Sequence, residues 1–205
     1  MEPGRFIVAN AGVLLVRVLY VKEAGPVHYV ITDGAMNIAP DLVTKADIIM
    51  NAVYLANMFG LECPLVGVLA AVELVNPAMP ATLDAAALAA MELRGQFPNC
   101  NVDGPFALDN AVDVLAAQVK GIKSEVAGNC DILVCPSIEA GNILAKSFSF
   151  LAGGRVAGVL VGAATPVVLT SRADSGEAKL HSIATAVLMV NMTRERHLKI
   201  GKIHF

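Results

Sequence analysis

The sequence predicts an α/β fold with a mainly parallel sheet and helices on both faces. Its 205 residues are enough for one domain of ordinary to large size. Hydrophobic residues make up 56% of the chain and charged residues only 16%, so many segments should be buried on both faces. From residue 41 onwards, short apolar runs alternate with helix-length segments. Strands separated in this way need crossover connections, which favour parallel pairing.

The individual elements follow from local pattern. Residues 5–31 are rich in Val, Leu, Ile and Tyr and are broken at 23–26, which predicts two or three β-segments. Residues 41–60 carry apolar residues at nearly helical spacing and end on a glycine, which predicts a helix. Strands are then predicted at 64–71, 101–104, 131–135, 155–161 and 164–170, and helices at 82–94, 109–120, 140–150 and 175–191.

The segments that follow the predicted strands carry the first group of candidate ligand contacts. In a mainly parallel sheet the ligand crevice lies beyond the carboxyl ends of the strands, where glycine permits close approach and polar side chains supply hydrogen bonds. Asp109 follows one of these segments and is predicted to cap the next helix. The substrate-binding candidates in this position are Asp103, Gly104, Glu139, Gly141 and Asn142.

Residues 166–182 predict a strand, a turn from Thr170 to Ser175, and a helix. Arg172 offers a planar set of donors suited to phosphate, and Thr170 and Ser171 add hydroxyl donors. The free amides at the start of the helix add partial positive charge. The turn is therefore a candidate anion site, and Thr170 and Asp174 are its substrate-binding candidates. The alternative is that Ser171 or Ser175 only caps the helix and that Arg172 lies on the surface.

Two carboxylates accompany this turn. Asp174 and Glu177 lie at the start of the predicted helix, where negative charge is favoured by the helix dipole. The functional alternative is that one of them is a base near Arg172. His181, one turn further along, is predicted to be a surface or partly buried helical histidine.

Composition excludes several classes of function. A net charge of −3 argues against a broad nucleic-acid-binding surface. The longest uncharged runs fall short of the ~20 apolar residues that a membrane-spanning helix needs. The start of the sequence has no signal-peptide pattern, so a cytoplasmic location is expected. The four cysteines have no CxxC spacing, which predicts structural thiols and no metal site.

Four ordered motifs give a family resemblance. They are DGAMNIAPDL from residue 33, VDGPFALD from residue 102, DILV at residue 131 continuing through EAGNIL at residue 139, and PVVLTSRADS from residue 166. From about residue 31 to 188 the chain resembles the phosphate acetyl- and butyryltransferases, and it is closest to the butyryl branch.

The resemblance implies an acyltransferase reaction. A short acyl group, butyryl or acetyl, would move from acyl-CoA to inorganic phosphate, with coenzyme A as product and without a metal or other cofactor. Arg172 would bind phosphate and stabilise developing charge, and Ser171 would donate a hydrogen bond near the departing thiolate. The acetyl branch has an aspartate at the position of Ala178, so the implied substitute bases are Glu177 and Asp174.

The family has two α/β domains with the active site between them, and the matching residues account for one. Residues 2–37 resemble instead the late β-region of diaminopimelate decarboxylases, with EPGR at residue 2 and an apolar run at 7–15. This predicts a chimeric chain, with a β-rich appendage at 1–32 that covers a sheet edge or an apolar face, and an acyltransferase-like domain at 33–205. No pyridoxal phosphate binding is expected, because no barrel carrying the cofactor lysine precedes Glu2.

Three hypotheses follow. The first is an active enzyme whose partners are acyl-CoA and phosphate. The second is an inactive or CoA/anion-binding domain that lacks half of the cleft, and the third is a structural or assembly protein. No nucleic acid or membrane partner is expected. A homo-oligomer is expected in every case, since the absence of a partner domain exposes apolar surface.

Overall fold

The computed structural model describes residues 13–22, 25–34, 42–162 and 165–196. The EPGR segment at residue 2 and most of the first family motif, which begins at residue 33, lie outside these residues. The strands are β1 Val13–Lys22, β2 Gly25–Gly34, β3 Leu65–Leu69, β4 Asn101–Phe106, β5 Ile132–Val134, β6 Arg155–Val161 and β7 Val167–Val168. The helices are α1 Leu42–Met58, α2 Pro80–Leu93, α3 Leu108–Val112, α4 Val114–Val119, α5 Ile138–Lys146 and α6 Gly176–Arg196, with a π-helical turn at Ser147–Leu151.

The strands form one sheet in the order β4-β3-β5-β2-β1-β6-β7. Neighbours from β4 to β2 are parallel, whereas β1 is antiparallel to both β2 and β6, and β7 is antiparallel to β6. All the strands except β1 and β7 therefore point the same way. The predicted α/β fold with a mainly parallel sheet is confirmed.

Two cores separate the sheet from its helices, one on each face. Ile132 and Val134 of β5 join a cluster with residues of α1, α2 and α6. Leu133, between them, joins the opposite cluster with residues of α3 and α4, and α5 packs against that cluster. This alternation follows from the two-residue period of a strand, which sends successive side chains to opposite faces. The predicted placement of helices on both faces is confirmed.

The hairpin formed by β1 and β2 lies inside the sheet. Its strands are inserted between β5 and β6, with Val13 opposite Val161 and Leu19 opposite Arg155. The expectation that this segment covers a sheet edge is therefore wrong for the described backbone. Local composition predicts a strand but not its neighbours. Here β2 pairs with β5 and β1 pairs with β6, so both outer edges of the hairpin have a hydrogen-bonded neighbour. The division into 1–32 and 33–205 stays a prediction.

Two helices differ from their predicted extents. The helix expected at 109–120 is divided into α3 and α4 at Asp113, whose carboxylate accepts a hydrogen bond of 2.8 Å from the amide of Ala116. Asp109 does not cap α3, because the N-cap position is Ala107; the Asp109 carboxylate lies 3.0 Å from Lys120 Nζ instead. The helix expected at 140–150 begins earlier, at Ile138, and becomes π-helical from Ser147.

Ser182 joins α6 to β6. Its side chain is buried, accepts a hydrogen bond of 3.0 Å from the amide of Gly158 and donates one of 2.8 Å to the carbonyl of Ala178. A side chain at Gly158 would lie 2.9 Å from the carbonyl oxygen of Leu169, so glycine allows β6 and the segment after β7 to approach closely. The hydroxyl therefore holds the helix against the strand beside the turn that follows β7.

Ser182→Ala is expected to lower the free energy of unfolding by about 1–2 kcal/mol, because it removes the acceptor for the Gly158 amide. Urea unfolding followed by circular dichroism measures this change. Lys179→Ala, an exposed position on the same helix, is the control and should change stability by less than about 0.5 kcal/mol. Equal losses in the two variants would contradict the assigned role of the hydroxyl.

Candidate active site

The turn that precedes α6 is closed by reciprocal hydrogen bonds. The amide of Ser171 donates to Asp174 Oδ2 at 2.7 Å, and the amide of Asp174 donates to the carbonyl of Ser171 at 3.1 Å. Ser171 Oγ accepts a longer bond, 3.4 Å, from the amide of Ala173. These contacts fix the backbone on both sides of Arg172. Thr170, half-buried, leads into this turn from β7.

Ser175 is the residue that caps α6. Its Oγ accepts a hydrogen bond of 3.1 Å from the amide of Ala178, and its carbonyl accepts from the amide of Lys179 at 3.1 Å. Of the two serines that the sequence offered as caps, the structure selects Ser175. The hydroxyl of Ser171 is therefore not needed to begin the helix and can donate to a ligand.

Arg172 projects from this fixed turn. Its side chain is exposed, and it forms no ion pair with any carboxylate in the part of the chain that the structure describes. An unpaired guanidinium keeps its full set of donors for a planar or tetrahedral anion. Among the predicted site residues, Arg172 thus has the arrangement best suited to phosphate.

The two candidate bases differ in their surroundings. Asp174 is committed on both carboxylate oxygens, since Oδ2 accepts from the Ser171 amide and Oδ1 lies 3.8 Å from Lys146 Nζ. Glu177 is exposed in the first turn of α6, with Oε1 3.5 Å from Arg155 Nε and 3.9 Å from His181 Nε2. Asp174 therefore stabilises the turn, whereas Glu177 is oriented towards two side chains that can be cationic.

A cavity of about 320 Å³ lies beside the start of α6. It brings Asp174, Ser175, Glu177 and His181 of the helical side together with Arg155 at the start of β6. Arg155 was missed by the sequence reasoning. Its only signal was a charged residue that follows Gly153 and Gly154 and opens an otherwise apolar strand.

The remaining candidates lie in β4 and α5. Asp103 Oδ1 accepts a hydrogen bond of 2.8 Å from the amide of Gly104. Gly104 has a φ of +159°, and a side chain there would lie 2.7 Å from the carbonyl oxygen of Val68. Glycine is therefore required at this position for close pairing of β3 and β4. The strand continues to Phe106, two residues beyond its predicted end.

In α5, Glu139 and Asn142 are exposed and Gly141 is buried. The amide of Gly141 donates to the carbonyl of Ser137 at 3.0 Å. A hydrogen bond from the Ser137 side chain and the backbone amide of Glu139 itself lower the pKa of the Glu139 carboxyl below its ordinary value. Glu139 thus remains ionised near the helix start, where the dipole favours a negative charge.

The candidate residues do not all lie at the same end of the strands. β7 runs antiparallel to β6, with Val168 beside Val159. The chain therefore reaches Ser171 at the end of the sheet where β6 begins. The start of α5, which follows β5, lies at the opposite end, where the parallel strands finish. Asp103 and Gly104 lie within β4, and Asp103 pairs with Gly67 of β3. The expectation that every post-strand segment shares one crevice is therefore wrong for the turn at Ser171, because the strand that precedes it is antiparallel. The roles assigned to these residues stay predictions.

The cysteines belong to the packing of the domain. Cys100, Cys130 and Cys135 are buried, and Cys63 is exposed. Burial raises the pKa of the Cys100 and Cys130 thiols to about 12, with smaller contributions from neighbouring negative groups. These two thiols therefore stay protonated at neutral pH. Over the described ranges, no three His, Cys, Asp or Glu residues are grouped so that they could hold a metal ion.

An aromatic disulfide reagent is expected to modify Cys63 rapidly in the folded protein at neutral pH, and the buried thiols only after unfolding, because the thiolate is the reactive form. Absorbance of the released chromophore, with and without denaturant, measures the two groups. Cys63→Ser is the control and should remove the rapid phase alone. Rapid reaction of a second thiol in the native protein would contradict the described burial.

The model of the family described as phosphate acetyl/butaryl transferase matches residues 2–187. This chain belongs to the phosphate acetyl/butaryl transferase family. The match begins before the hairpin and ends within α6, so it includes all the candidate site residues described above. It also includes residues 2–37, and the comparisons do not show the expected resemblance of that segment to the decarboxylases.

Individual members of the family are similar to this chain over most of its length. A protein of Bacillus subtilis (strain 168) named "Probable phosphate butyryltransferase" is 57% identical over 157 residues, which are 77% of this chain and 52% of that protein. The phosphate acetyltransferase of Thermotoga maritima is 52% identical over 163 residues, which are 80% of this chain and 55% of that protein. The chain thus spans about half the length of the curated relatives that it matches.

A solved structure supports the same membership. The crystal structure of a branched-chain phosphotransacylase from Enterococcus faecalis V583 superposes with a TM-score of 0.76 and 37% sequence identity. The superposition covers 88% of this chain and 63% of that one. In the part of the family fold described here, no helix is both long enough and apolar enough to cross a membrane.

Proposed function

We propose that this chain transfers a short acyl group from acyl-CoA to inorganic phosphate, producing acyl phosphate and CoA. The observation that carries the proposal is Arg172, an exposed and unpaired guanidinium on a turn whose backbone is fixed by Ser171 and Asp174. Membership of the phosphate acetyl/butaryl transferase family and the names of its relatives support the reaction class.

In the proposed reaction, an oxygen of phosphate attacks the thioester carbonyl carbon. The new C–O bond replaces the C–S bond, and the sulfur leaves with the bonding electrons as a thiolate that takes up a proton. Arg172 holds the phosphate and offsets its charge, and the Ser171 hydroxyl donates to the departing sulfur. Catalysis of this kind depends on positioning two anionic substrates and on fixed donors at the developing charge.

Glu177 is the proposed base: it takes the proton from the attacking phosphate oxygen, and this proton balances the one that the thiolate takes up. Asp174 is engaged on both oxygens, and Ala178, at the position where the acetyl branch has an aspartate, is a buried side chain without a titratable group. Glu177 is the neighbouring exposed carboxylate of the same helical turn, near Arg155 and His181. Asp103, Gly104, Glu139, Gly141, Asn142 and Thr170 are retained as proposed substrate contacts.

Release of CoA thiol from butyryl-CoA tests the proposal, with a phosphate-free reaction as the control for hydrolysis and for the protein's own thiols. We expect release that depends on phosphate, together with acyl phosphate detected as its hydroxamate. CoA binding by calorimetry without such release would instead favour the alternative of a binding domain that lacks the other half of the cleft.

We further propose that residues 2–37 have a separate origin and that the chain divides into 1–32 and 33–205. Support comes from the resemblance of EPGR at residue 2 and of the apolar run at 7–15 to the decarboxylases. The division predicts that a fragment of residues 33–205 keeps a cooperative unfolding transition. A fragment without such a transition would overturn the division. Addition of pyridoxal phosphate to the whole chain should give no Schiff-base absorbance band.

A homo-oligomer in the cytoplasm completes the proposal. Large apolar side chains are exposed along α6, at Leu180, Ile183 and Val187. Contiguous exposed apolar surface of this kind is typical of contacts between subunits. Light scattering coupled to size-exclusion chromatography measures the mass in solution, and a clean monomer would contradict the proposed oligomer.

A further inference from the structure

A second cavity, of about 200 Å³, lies along α6. From the helix it is lined by His181, Ala184, Thr185 and Leu188, which follow the three- and four-residue spacing of one helical face. Ala157 of β6 and Phe59, which follows α1, also line it, and its surface is mainly apolar. The mechanism proposed above does not use this cavity.

The two cavities share their lining residues at one end. Arg155, Val156 and His181 contribute to the apolar cavity and also to the polar cavity of about 320 Å³ at the start of α6. The polar cavity contains Ser175 and Glu177, and Asp174 belongs both to its lining and to the turn that carries Arg172. A ligand with a polar end and a short apolar chain would therefore find matching surroundings on the two sides of Arg155 and His181.

We propose that the apolar cavity binds the short acyl chain of the substrate, with the carbonyl end directed towards Arg155 and His181. This inference rests on the proposed function, because that reaction supplies an acyl group as ligand. The volume fits, since an apolar cavity of about 150 Å³ in another protein accommodates benzene, which has more heavy atoms than a butyryl or isobutyryl group. Acyl chains of eight carbons or so would exceed it.

The electrostatic arrangement at the rim suits a carbonyl or carboxylate oxygen. Arg155 is exposed, and Glu177 Oε1 lies 3.5 Å from its Nε, so the guanidinium has five N–H donors to share between Glu177 and a ligand. His181 lies 3.9 Å from the same carboxylate and can donate from either ring nitrogen when protonated. Each methylene of the ligand that is buried in the apolar cavity should strengthen binding by about fourfold. Chain length is therefore the property that this cavity should select.

Binding of sodium acetate, butyrate and octanoate to the whole chain, followed by NMR titration, tests the inference without requiring turnover. We expect butyrate, which has two methylenes more than acetate, to bind about 16-fold more tightly and octanoate to gain no further affinity. Ala184→Leu, which fills the cavity, should reduce butyrate affinity to that of acetate. Ala90→Leu makes the same change at an exposed position of α2 and should leave butyrate affinity unaltered.

Leu188→Ala provides a second variant that enlarges the cavity and does not depend on the folding of Ala184→Leu. It should shift the preference towards hexanoate. Equal butyrate affinity in Ala184→Leu and Ala90→Leu, or no dependence on chain length in the unmodified chain, would overturn the acyl-chain site whatever the outcome of the transfer assay. Selective butyrate binding that Ala184→Leu abolishes, in a protein that releases no CoA, would retain this site and overturn the transfer reaction instead.

Discussion

Arg172→Ala is expected to lower kcat/KM for phosphate-dependent CoA release by about 10²–10³-fold, which is the typical loss when one fixed donor at a developing charge is removed. The side chain is exposed and forms no ion pair with the described carboxylates, so its removal should leave the fold intact. Steady-state kinetics with butyryl-CoA and varied phosphate measure the effect. The KM for phosphate should rise as well, because the same guanidinium binds the ground-state anion.

Arg94→Ala is the matched control for this prediction. Arg94 is also exposed, but it lies at the C-terminal end of α2 and does not belong to the turn that precedes α6. Its replacement should change kcat/KM by less than about twofold. If the two arginine variants lose activity equally, or if Arg172→Ala retains full activity, phosphate is held elsewhere and the proposed role of the turn is incorrect.

Leu88→Ala should lower the free energy of unfolding by about 2–5 kcal/mol, which is the range for a leucine removed from a rigid core. Leu88 is fully buried on α2, in the core cluster that also contains residues of α1, β3 and β5. Because native proteins have only about 5–15 kcal/mol of stability, this single change should lower the urea midpoint strongly. Equilibrium unfolding in urea measures it.

The same helix supplies the control. Leu93 is 89% exposed at the end of α2, so Leu93→Ala makes the identical chemical change with almost no buried surface to lose. We expect a change of less than about 0.5 kcal/mol. Similar midpoints for the two leucine variants would mean that α2 is not packed against the sheet as described.

Local sequence pattern was sufficient for most elements of the fold. The helix at 42–58 is marked by helical spacing and by Gly60, which has a φ of +89°, and the strand at 155–161 by a short apolar run after two glycines. Pattern failed where a decision depended on partners far along the chain. The neighbours of β1 and β2 are an example, because the local sequence of a strand does not specify which other strand it pairs with.

The candidate site was predictable to a similar extent. The residue types at 170–175 indicated an anion-binding turn, but two serines at nearly equivalent positions left the cap undecided until hydrogen bonds distinguished Ser175 from Ser171. The antiparallel orientation of β7 could have been predicted, because only two residues separate the strands expected at 155–161 and 164–170 and a parallel strand needs a crossover of about a dozen residues or more. The expectation of one shared crevice did not take this into account. That orientation is what separates Ser171 from Asp103 and Gly104.

The position of the hairpin has a consequence for the order in which the molecule can fold. β1 pairs with β6, and Val13 lies opposite Val161. A strand near the beginning of the described chain therefore pairs with one that is far away in sequence. Pairing of such distant segments requires the closure of a long loop before it yields any contact energy, and proteins dominated by these contacts fold slowly. During synthesis the hairpin would emerge with neither β5 nor β6 available. Until those strands are made, the outer backbone groups of both hairpin strands would be unpaired and could pair with strands of other chains. This stretch is therefore prone to misassembly.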